Sequence, residues 1–183
     1  MVSILDPSLS RLTKHGSVFT HFEDFELSEI AKHYKAGIIL VTQKNQVVVV
    51  RNKSSKIWGF PKGSIKQRDK NLSEASSREL MEETGMKILP TIHNSKRIQI
   101  CRTYYYLICI HCDETVIFDP VDKFEIDEVR LISIPDIHSL ENINRDLFKF
   151  YNKHKTIAQQ QIKQKYTIVQ YADGTNSYTN PRF

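Results

Sequence analysis

Arg78-Glu79-Leu80-Met81-Glu82-Glu83-Thr84-Gly85 is the stretch on which the reading of this chain turns. Residues three and four apart share one face of a helix, so a helical reading gathers Glu79, Glu82 and Glu83 into one carboxylate cluster. Like charges at that spacing destabilise a helix by roughly 0.2–0.5 kcal/mol per pair. A compensating cation is therefore expected, and a hard divalent ion with oxygen ligands has the right chemistry. Taken alone, the same residues read as a solvated acidic helix face. Upstream, Asn71 supplies an N-cap and Glu74, three residues later, completes a capping-box pattern. Downstream, Gly85 supplies the C-terminal stop. A helix starting after Asn71 and ending before Gly85 follows, with Leu72, Ala75, Leu80 and Met81 as apolar positions and the glutamates mostly on the other side.

Strand signals flank this helix. Ala36 to Val41 is a continuous apolar run, as expected of a strand buried on both faces. Lys44-Asn45 reads as a turn and Gln46 to Arg51 as a second, valine-rich strand. A polar loop from Arg51 to Lys56 leads to a short strand through Trp58. After the helix come a strand near Met86 to Leu89, a long one from about Ile98 to His111, and shorter ones at Val116 to Phe118 and Val129 to Ile134. Pro135 opens a short helix at a position proline tolerates. Leu147, Phe148, Phe150 and Tyr151 mark another, extending to about Lys165. Strands around a central helix with a second helix near the end fit an α/β/α sandwich. Residues 1–33 read as an N-terminal arm, its apolar positions Phe19, Phe22, Phe25, Leu27 and Ile30 compatible with short helices or an irregular segment. Residues 34–155 read as the domain, and 156–183 as a C-terminal helical extension and a polar tail.

The 183 residues suit one domain with extensions. No apolar run approaches transmembrane length, so no membrane partner is expected. The N-terminus lacks the apolar segment of a secretory signal. Cys101, Cys109 and Cys112 cannot all pair with each other, and they read as free thiols of a reducing, cytoplasmic compartment. They share with His111 what reads as one strand, which disfavours zinc. A formal charge of +5 suits a polyanionic substrate or nucleic acid.

Trp58-Gly59-Phe60-Pro61-Lys62-Gly63-Ser64 lies upstream of the helix. With the glutamate stretch it resembles the signature of the Nudix hydrolases: a glycine, five residues, a glutamate, seven residues, then Arg-Glu-apolar-x-Glu-Glu-x-Gly-apolar. Gly63, Arg78-Glu79-Leu80, Glu82-Glu83 and Gly85-Met86 match. The step from Gly63 to Arg78 is one residue longer than the pattern, and Asp69 or Lys70 stands where the first glutamate belongs. Asp69 is the better stand-in as partner of Arg78. The resemblance covers roughly residues 34–155 and implies a Nudix-type α/β/α sandwich with a mixed sheet.

The resemblance also implies metal-dependent hydrolysis of a nucleoside diphosphate linkage, with Mg²⁺ or Mn²⁺ neutralising charge and orienting water. By the family pattern Glu79, Glu82 and Glu83 are metal ligands, the backbone carbonyl of Lys62 is a further one, and one glutamate doubles as the base. Arg78 would orient the glutamates through charge-assisted hydrogen bonds, alongside its plain reading as a structural ion pair. Glu125, opening Glu125-Ile126-Asp127-Glu128-Val129-Arg130-Leu131, resembles the extra acid of decapping-type members, as general base or added ligand; a solvated loop glutamate is the plain reading, and Glu128 the fallback candidate. Lys62 is a candidate phosphate contact, and Lys53, Lys56, Lys66, Arg68 and Lys70 make a basic rim if they converge; singly, each reads as a surface charge. Tyr104 and Tyr106 are candidate base-stacking rings, against the commoner packing role of such a run, and Trp58 reads as a packing residue.

The Trp-Gly-Phe-Pro-Lys-Gly-x-Ile wording is most similar to messenger-RNA decapping enzymes, cellular and of large DNA viruses. It implies capped RNA as substrate, release of methylated guanosine diphosphate and a 5′-monophosphate RNA product. Small-molecule hydrolysis, of diadenosine polyphosphates or diphosphoinositol polyphosphates, is the second expectation. A non-catalytic binding module of the same fold is the third, weakened by the retained glutamates.

Overall fold

The structure is a computed structural model that describes residues 24–88, 95–110, 117–156, 169–171 and 176–177. The elements, in order, are α1 (Asp24–His33), β1 (Lys35–Thr42), β2 (Gln46–Asn52), β3 (Trp58–Gly59), β4 (Lys62–Ser64), α2 (Leu72–Thr84), β5 (Met86–Ile88), β6 (Lys96–Ile100), β7 (Thr103–Ile110), β8 (Ile126–Ser133), a 3₁₀ segment (Ile134–Ser139) and α3 (Arg145–Lys149), which continues as a π-helical turn over Phe150–His154. Short strands β9 (Val169–Tyr171) and β10 (Asn176–Ser177) extend β5 into a separate three-stranded sheet, in which β9 pairs antiparallel with both β5 and β10.

The main sheet is mixed. β1 pairs parallel with β7 and antiparallel with β2 and β4, β8 pairs antiparallel with β2, and β6 with β7. Strand periodicity of two sends alternate residues to opposite faces. On β1, Ile38 and Leu40 enter the core beneath α1 and α2, while Ile39 and Val41 enter the core beneath α3. On β7, Tyr106, Ile108 and Ile110 take the first side, and Tyr105, Leu107 and Cys109 the second. Both faces of β1 and β7 are thus covered by helices, which is why these strands read as continuous apolar runs. The expected α/β/α sandwich is what forms.

Several expectations about elements change. The single long strand expected from Ile98 to His111 is a hairpin, β6–β7, with Ile100 opposite Thr103. Cys101 turns the chain in the left-handed region (φ 54). Cysteine is not one of the residues that signal such turns, so the break was hidden in the sequence. Cys101 accordingly sits at a turn, and Cys109 is buried on β7. Ile117 and Phe118 belong to no strand, and β8 begins at Ile126, earlier than the expected Val129. Within the arm, Asp24–His33 is a helix with Leu27 buried. Phe19, Phe22, Leu89, His111, Cys112, Val116, the proposed extension of the last helix to Lys165 and most of the tail lie outside the described residues.

The helix α2 is built as its sequence indicates. The Asn71 side chain accepts the Glu74 N–H at 2.9 Å, and Gly85 closes the helix at φ 76, its N–H donating to the Met81 carbonyl. The Glu74 carboxylate reaches the Lys70 N–H at 2.8 Å, one residue earlier than an ideal capping box. The buried side of α2 differs from expectation: Glu79 and Glu83 lie on it with Leu72, Ala75 and Leu80, whereas Met81 is only partly covered.

Candidate active site

The site forms where α2 packs across β4. Arg78 is the organising cation. Its Nε and Nη2 donate to the two oxygens of Asp69, both at 2.9 Å, and Nη2 also reaches the Ser64 carbonyl at 2.9 Å. Its Nη1 donates to Glu79 at 2.6 Å and to Glu82 at 2.9 Å. A guanidinium presents donors in a planar fork suited to this multidentate role. Asp69 is held in turn by the Lys66 N–H at 2.7 Å, so the lengthened loop folds back and delivers an acid to Arg78. Burial pushes the Asp69 carboxyl up, but the Arg78 and Lys66 bonds outweigh it and leave it below its ordinary value. The stand-in expected from the sequence is the residue that the fold pairs with Arg78.

Glu79 and Glu83 are only 6% and 5% exposed. Burial raises the Glu79 pKa, with Arg78 opposing. Glu83 is pushed up to about 9, first by burial and then by the nearby charges of Glu79 and Glu125, against a lowering by the Lys62 N–H. That N–H donates to Glu83 at 3.1 Å. Glu82 is more open and meets Lys66 at 3.3 Å and Arg68 at 3.5 Å. Gly63 leaves room for the cluster: a Cβ there would stand 2.1 Å from Glu79 Oε2.

Glu125 is exposed at the start of β8, in a loop pinned from several sides. Its N–H donates to the Asp122 carboxylate, its carbonyl accepts the Lys53 N–H at 2.7 Å, and the Asp122 N–H donates to the Glu82 carbonyl at 2.8 Å. The loop thereby brings the Glu125 charge within range of Glu83. Glu128, the fallback candidate, is engaged by Arg51 at 3.0 Å and by Arg130.

Other expected residues stand elsewhere. The Lys62 ammonium turns inward to Asp146 instead of outward to solvent. Lys56 is taken by Asp127 at 2.5 Å and Lys53 reaches the Lys123 carbonyl at 3.2 Å, whereas Lys66, Gln67 and Arg68 line an open patch of surface. Tyr106 is 7% exposed in the core, so its expected stacking role is corrected: alternation on β7 places the ring beneath the helices. Tyr104 packs on Tyr34 with ring centroids 5.1 Å apart and has the Arg97 guanidinium 6.0 Å from its centroid, which engages the ring within the protein. Trp58 is buried, with Arg51 and Arg130 over its ring. Sequence reasoning missed Asp146, which lies 84 residues from Lys62 in a short helix without a distinguishing motif.

Among the described residues, no group of three His, Cys, Asp or Glu side chains stands placed to hold a metal ion. Glu79 and Glu82 lean on Arg78 and Glu83 on the Lys62 N–H, so a cation would draw them from these partners. The donor chemistry nevertheless fits a hard divalent ion. The ligands are carboxylate oxygens on one rigid helix, and a buried carboxylate with a strongly raised pKa gains most from an added positive charge.

The NUDIX domain family model matches residues 31–153. This chain belongs to the Nudix family. As a Nudix hydrolase it acts on a phosphoric anhydride bond, and enzymes of this family typically use divalent metal ions. Among relatives, it is 32% identical over 118 residues to the RNA pyrophosphohydrolase of Marinomonas sp. (strain MWYL1), covering 53% of this chain and 73% of that protein. It is also 32% identical over 79 residues to the 8-oxo-dGTP diphosphatase of Buchnera aphidicola subsp. Schizaphis graminum (strain Sg), covering 41% of this chain and 56% of that protein. Among solved structures, the NUDIX domain of Shewanella oneidensis NrtR, complexed with ADP ribose, superposes with a TM-score of 0.51 at 14% identity, over 85% of this chain and 99% of that one. That likeness concerns the fold alone. The Nudix assignment agrees with the resemblance read from Gly63 to Met86, and the relatives are not specifically decapping enzymes.

Proposed function

We propose that this Nudix hydrolase cleaves a phosphoric anhydride at the 5′ end of RNA, with capped RNA as its preferred substrate, releasing methylated guanosine diphosphate and leaving a 5′-monophosphate. The observation that carries the reading is the open basic patch formed by Lys66, Gln67 and Arg68 directly beside Glu82. It lets a phosphodiester chain run away from the glutamate cluster, with cations neutralising phosphates. The relative named RNA pyrophosphohydrolase, matched over 73% of its length, supports an RNA 5′ end as the substrate class.

In this reading Glu79, Glu82 and Glu83 hold Mg²⁺ or Mn²⁺, with the Lys62 carbonyl and Glu125 as further ligands. The bound cation would offset charge developing on the phosphate oxygens and orient the attacking water. Arg78, fixed by Asp69 and the Ser64 carbonyl, aims Glu79 and Glu82 and keeps them from drifting apart. Glu83 is the base, seated in the cluster by the Lys62 N–H. Glu125, exposed and close enough to perturb Glu83, is the alternative base. Lys66 and Arg68 exchange their long contacts to Glu82 for substrate phosphates.

The test uses cap-labelled RNA with Mg²⁺ or Mn²⁺, identifying the released nucleotide, beside 5′-triphosphate RNA, free cap dinucleotide and 8-oxo-dGTP. Release of methylated guanosine diphosphate from long RNA, with little turnover of the dinucleotide, is the expected result. Preference for triphosphate RNA would retain the RNA 5′ end and discard the cap. Preference for 8-oxo-dGTP or the dinucleotide would favour the small-molecule reading suggested by the second relative. Glu83→Gln is expected to abolish hydrolysis with the fold intact, measured by turnover and circular dichroism; full activity would remove Glu83 from the mechanism.

A further inference from the structure

Asp146 lies on α3, far along the chain from the glutamate box, and is 4% exposed. One of its oxygens, Oδ2, accepts hydrogen bonds from the Lys62 ammonium, from Tyr105 OH at 2.7 Å and from Thr103 Oγ1 at 3.1 Å. A carboxylate this far from water needs both a counter-charge and filled acceptor sites. Burial pushes its pKa up, but Lys62 and then Tyr105 and Cys101 bring it below the ordinary value. Tyr105 is itself fully buried, so the network reaches into the core beneath α3, with the partly exposed Lys62 side chain at its edge.

Lys62 links this network to the site. Its side chain belongs to Asp146, while its backbone N–H donates to Glu83 at 3.1 Å. The next residue, Gly63, is the one whose absent side chain admits the Glu79 carboxylate. One dipeptide therefore touches two glutamates of the cluster and is anchored from behind by an acid on another layer.

We propose that Asp146 is a positioning residue for hydrolysis: by holding the Lys62 ammonium it fixes the Lys62–Gly63 dipeptide against Glu83 and Glu79. It acts through Lys62 and contacts no substrate. The inference rests on Glu79 and Glu83 forming the reactive cluster, and it is independent of whether RNA or a small nucleotide is hydrolysed.

The test is a cycle of Asp146→Asn, Lys62→Met and the double variant, read by steady-state kinetics on a substrate the wild type turns over and by Mn²⁺ titration followed by electron paramagnetic resonance without substrate. Asp146→Asn is expected to lower kcat by roughly tenfold to a hundredfold, the range of a small misplacement, with KM changed by less than about twofold. Mn²⁺ affinity should weaken several-fold. Once Lys62 is methionine, the Asn substitution should lower kcat by less than about twofold further, because both changes remove one interaction. A folded Asp146→Asn protein with wild-type kcat and Mn²⁺ affinity would overturn the proposal, as would effects that multiply in the double variant. Should Asp146→Asn fail to fold, Lys62→Met decides, since it removes the same ion pair from the other side: a lower kcat at unchanged KM with weaker Mn²⁺ binding supports positioning, and wild-type kcat and Mn²⁺ affinity overturn it. Full activity in Glu83→Gln would instead bring down the underlying site reading. An inactive Glu83→Gln beside a fully active Asp146→Asn removes this proposal alone.

Discussion

Gly63 separates the demands of folding from those of chemistry. A methyl group there would meet the Glu79 carboxylate at 2.1–2.5 Å, and that carboxylate is the far end of a flexible side chain. Moving it is cheap for the fold but removes it from Arg78, which holds it at 2.6 Å. Gly63→Ala is therefore expected to leave the thermal midpoint within a few degrees of wild type while lowering kcat by about tenfold or more, the scale of a misplaced catalytic group. Asp69 makes a complementary prediction about pH. Its carboxyl is depressed in the folded protein from a reference value of 3.8, so its ion pair with Arg78 contributes stability that is fully present above that value. The contribution is lost as pH falls through the lower folded value. Urea unfolding of wild type and Asp69→Asn should differ most at neutral pH and converge in acid below about pH 4, the ordinary carboxylate range. The need for a partner of Arg78 was legible in the sequence, and so was Asp69 as a candidate. Its bidentate engagement was not, because it depends on a loop turning back through the Lys66 N–H.

At the scale of elements, α2 was readable because its ends follow local rules. An Asn side chain satisfies an orphan N–H at one end, and a glycine reaches φ 76 at the other. Gly85 also faces a second constraint, since a Cβ would lie 2.4 Å from the Asp119 backbone carbonyl. Left-handed backbone alone costs a non-glycine residue roughly 1–2 kcal/mol. Gly85→Ala is expected to lose at least that much in urea unfolding, and some activity too, since the 119–125 loop abutting Gly85 carries Glu125. The β6–β7 hairpin was not readable. Its turn uses Cys101 in a conformation that sequence rules assign to Gly, Asn or Asp. The side of α2 that is buried was misjudged for a related reason. Periodicity ranks residues by polarity, whereas Glu79 and Glu83 are buried beside Gly63 and the Lys62 N–H, partners contributed by another element.

Across the whole molecule, the basic patch and the glutamates lie side by side, which predicts a salt signature. If RNA runs along Lys66 and Arg68, the logarithm of affinity should fall linearly with that of salt, by about 0.7 per neutralised phosphate for a single strand. Lys66→Gln with Arg68→Gln should flatten that slope by about one to two phosphates' worth, measured by fluorescence anisotropy with a labelled RNA. An unchanged slope would place the strand elsewhere. The amino-acid sequence by itself determined the layered architecture, the limits of α2 and the carboxylate cluster, because these follow from residue periodicity, capping chemistry and short-range spacing, and its resemblance to the Nudix signature implied the reaction class. Only the tertiary structure decided that Lys62 turns to Asp146, that Tyr106 is core and Tyr104 is packed on Tyr34, and that Glu125 comes within electrostatic reach of Glu83. Those outcomes depend on strand alternation and on contacts between residues tens of positions apart. Burial and charge pairing there are set by which layers meet, and no local pattern records that.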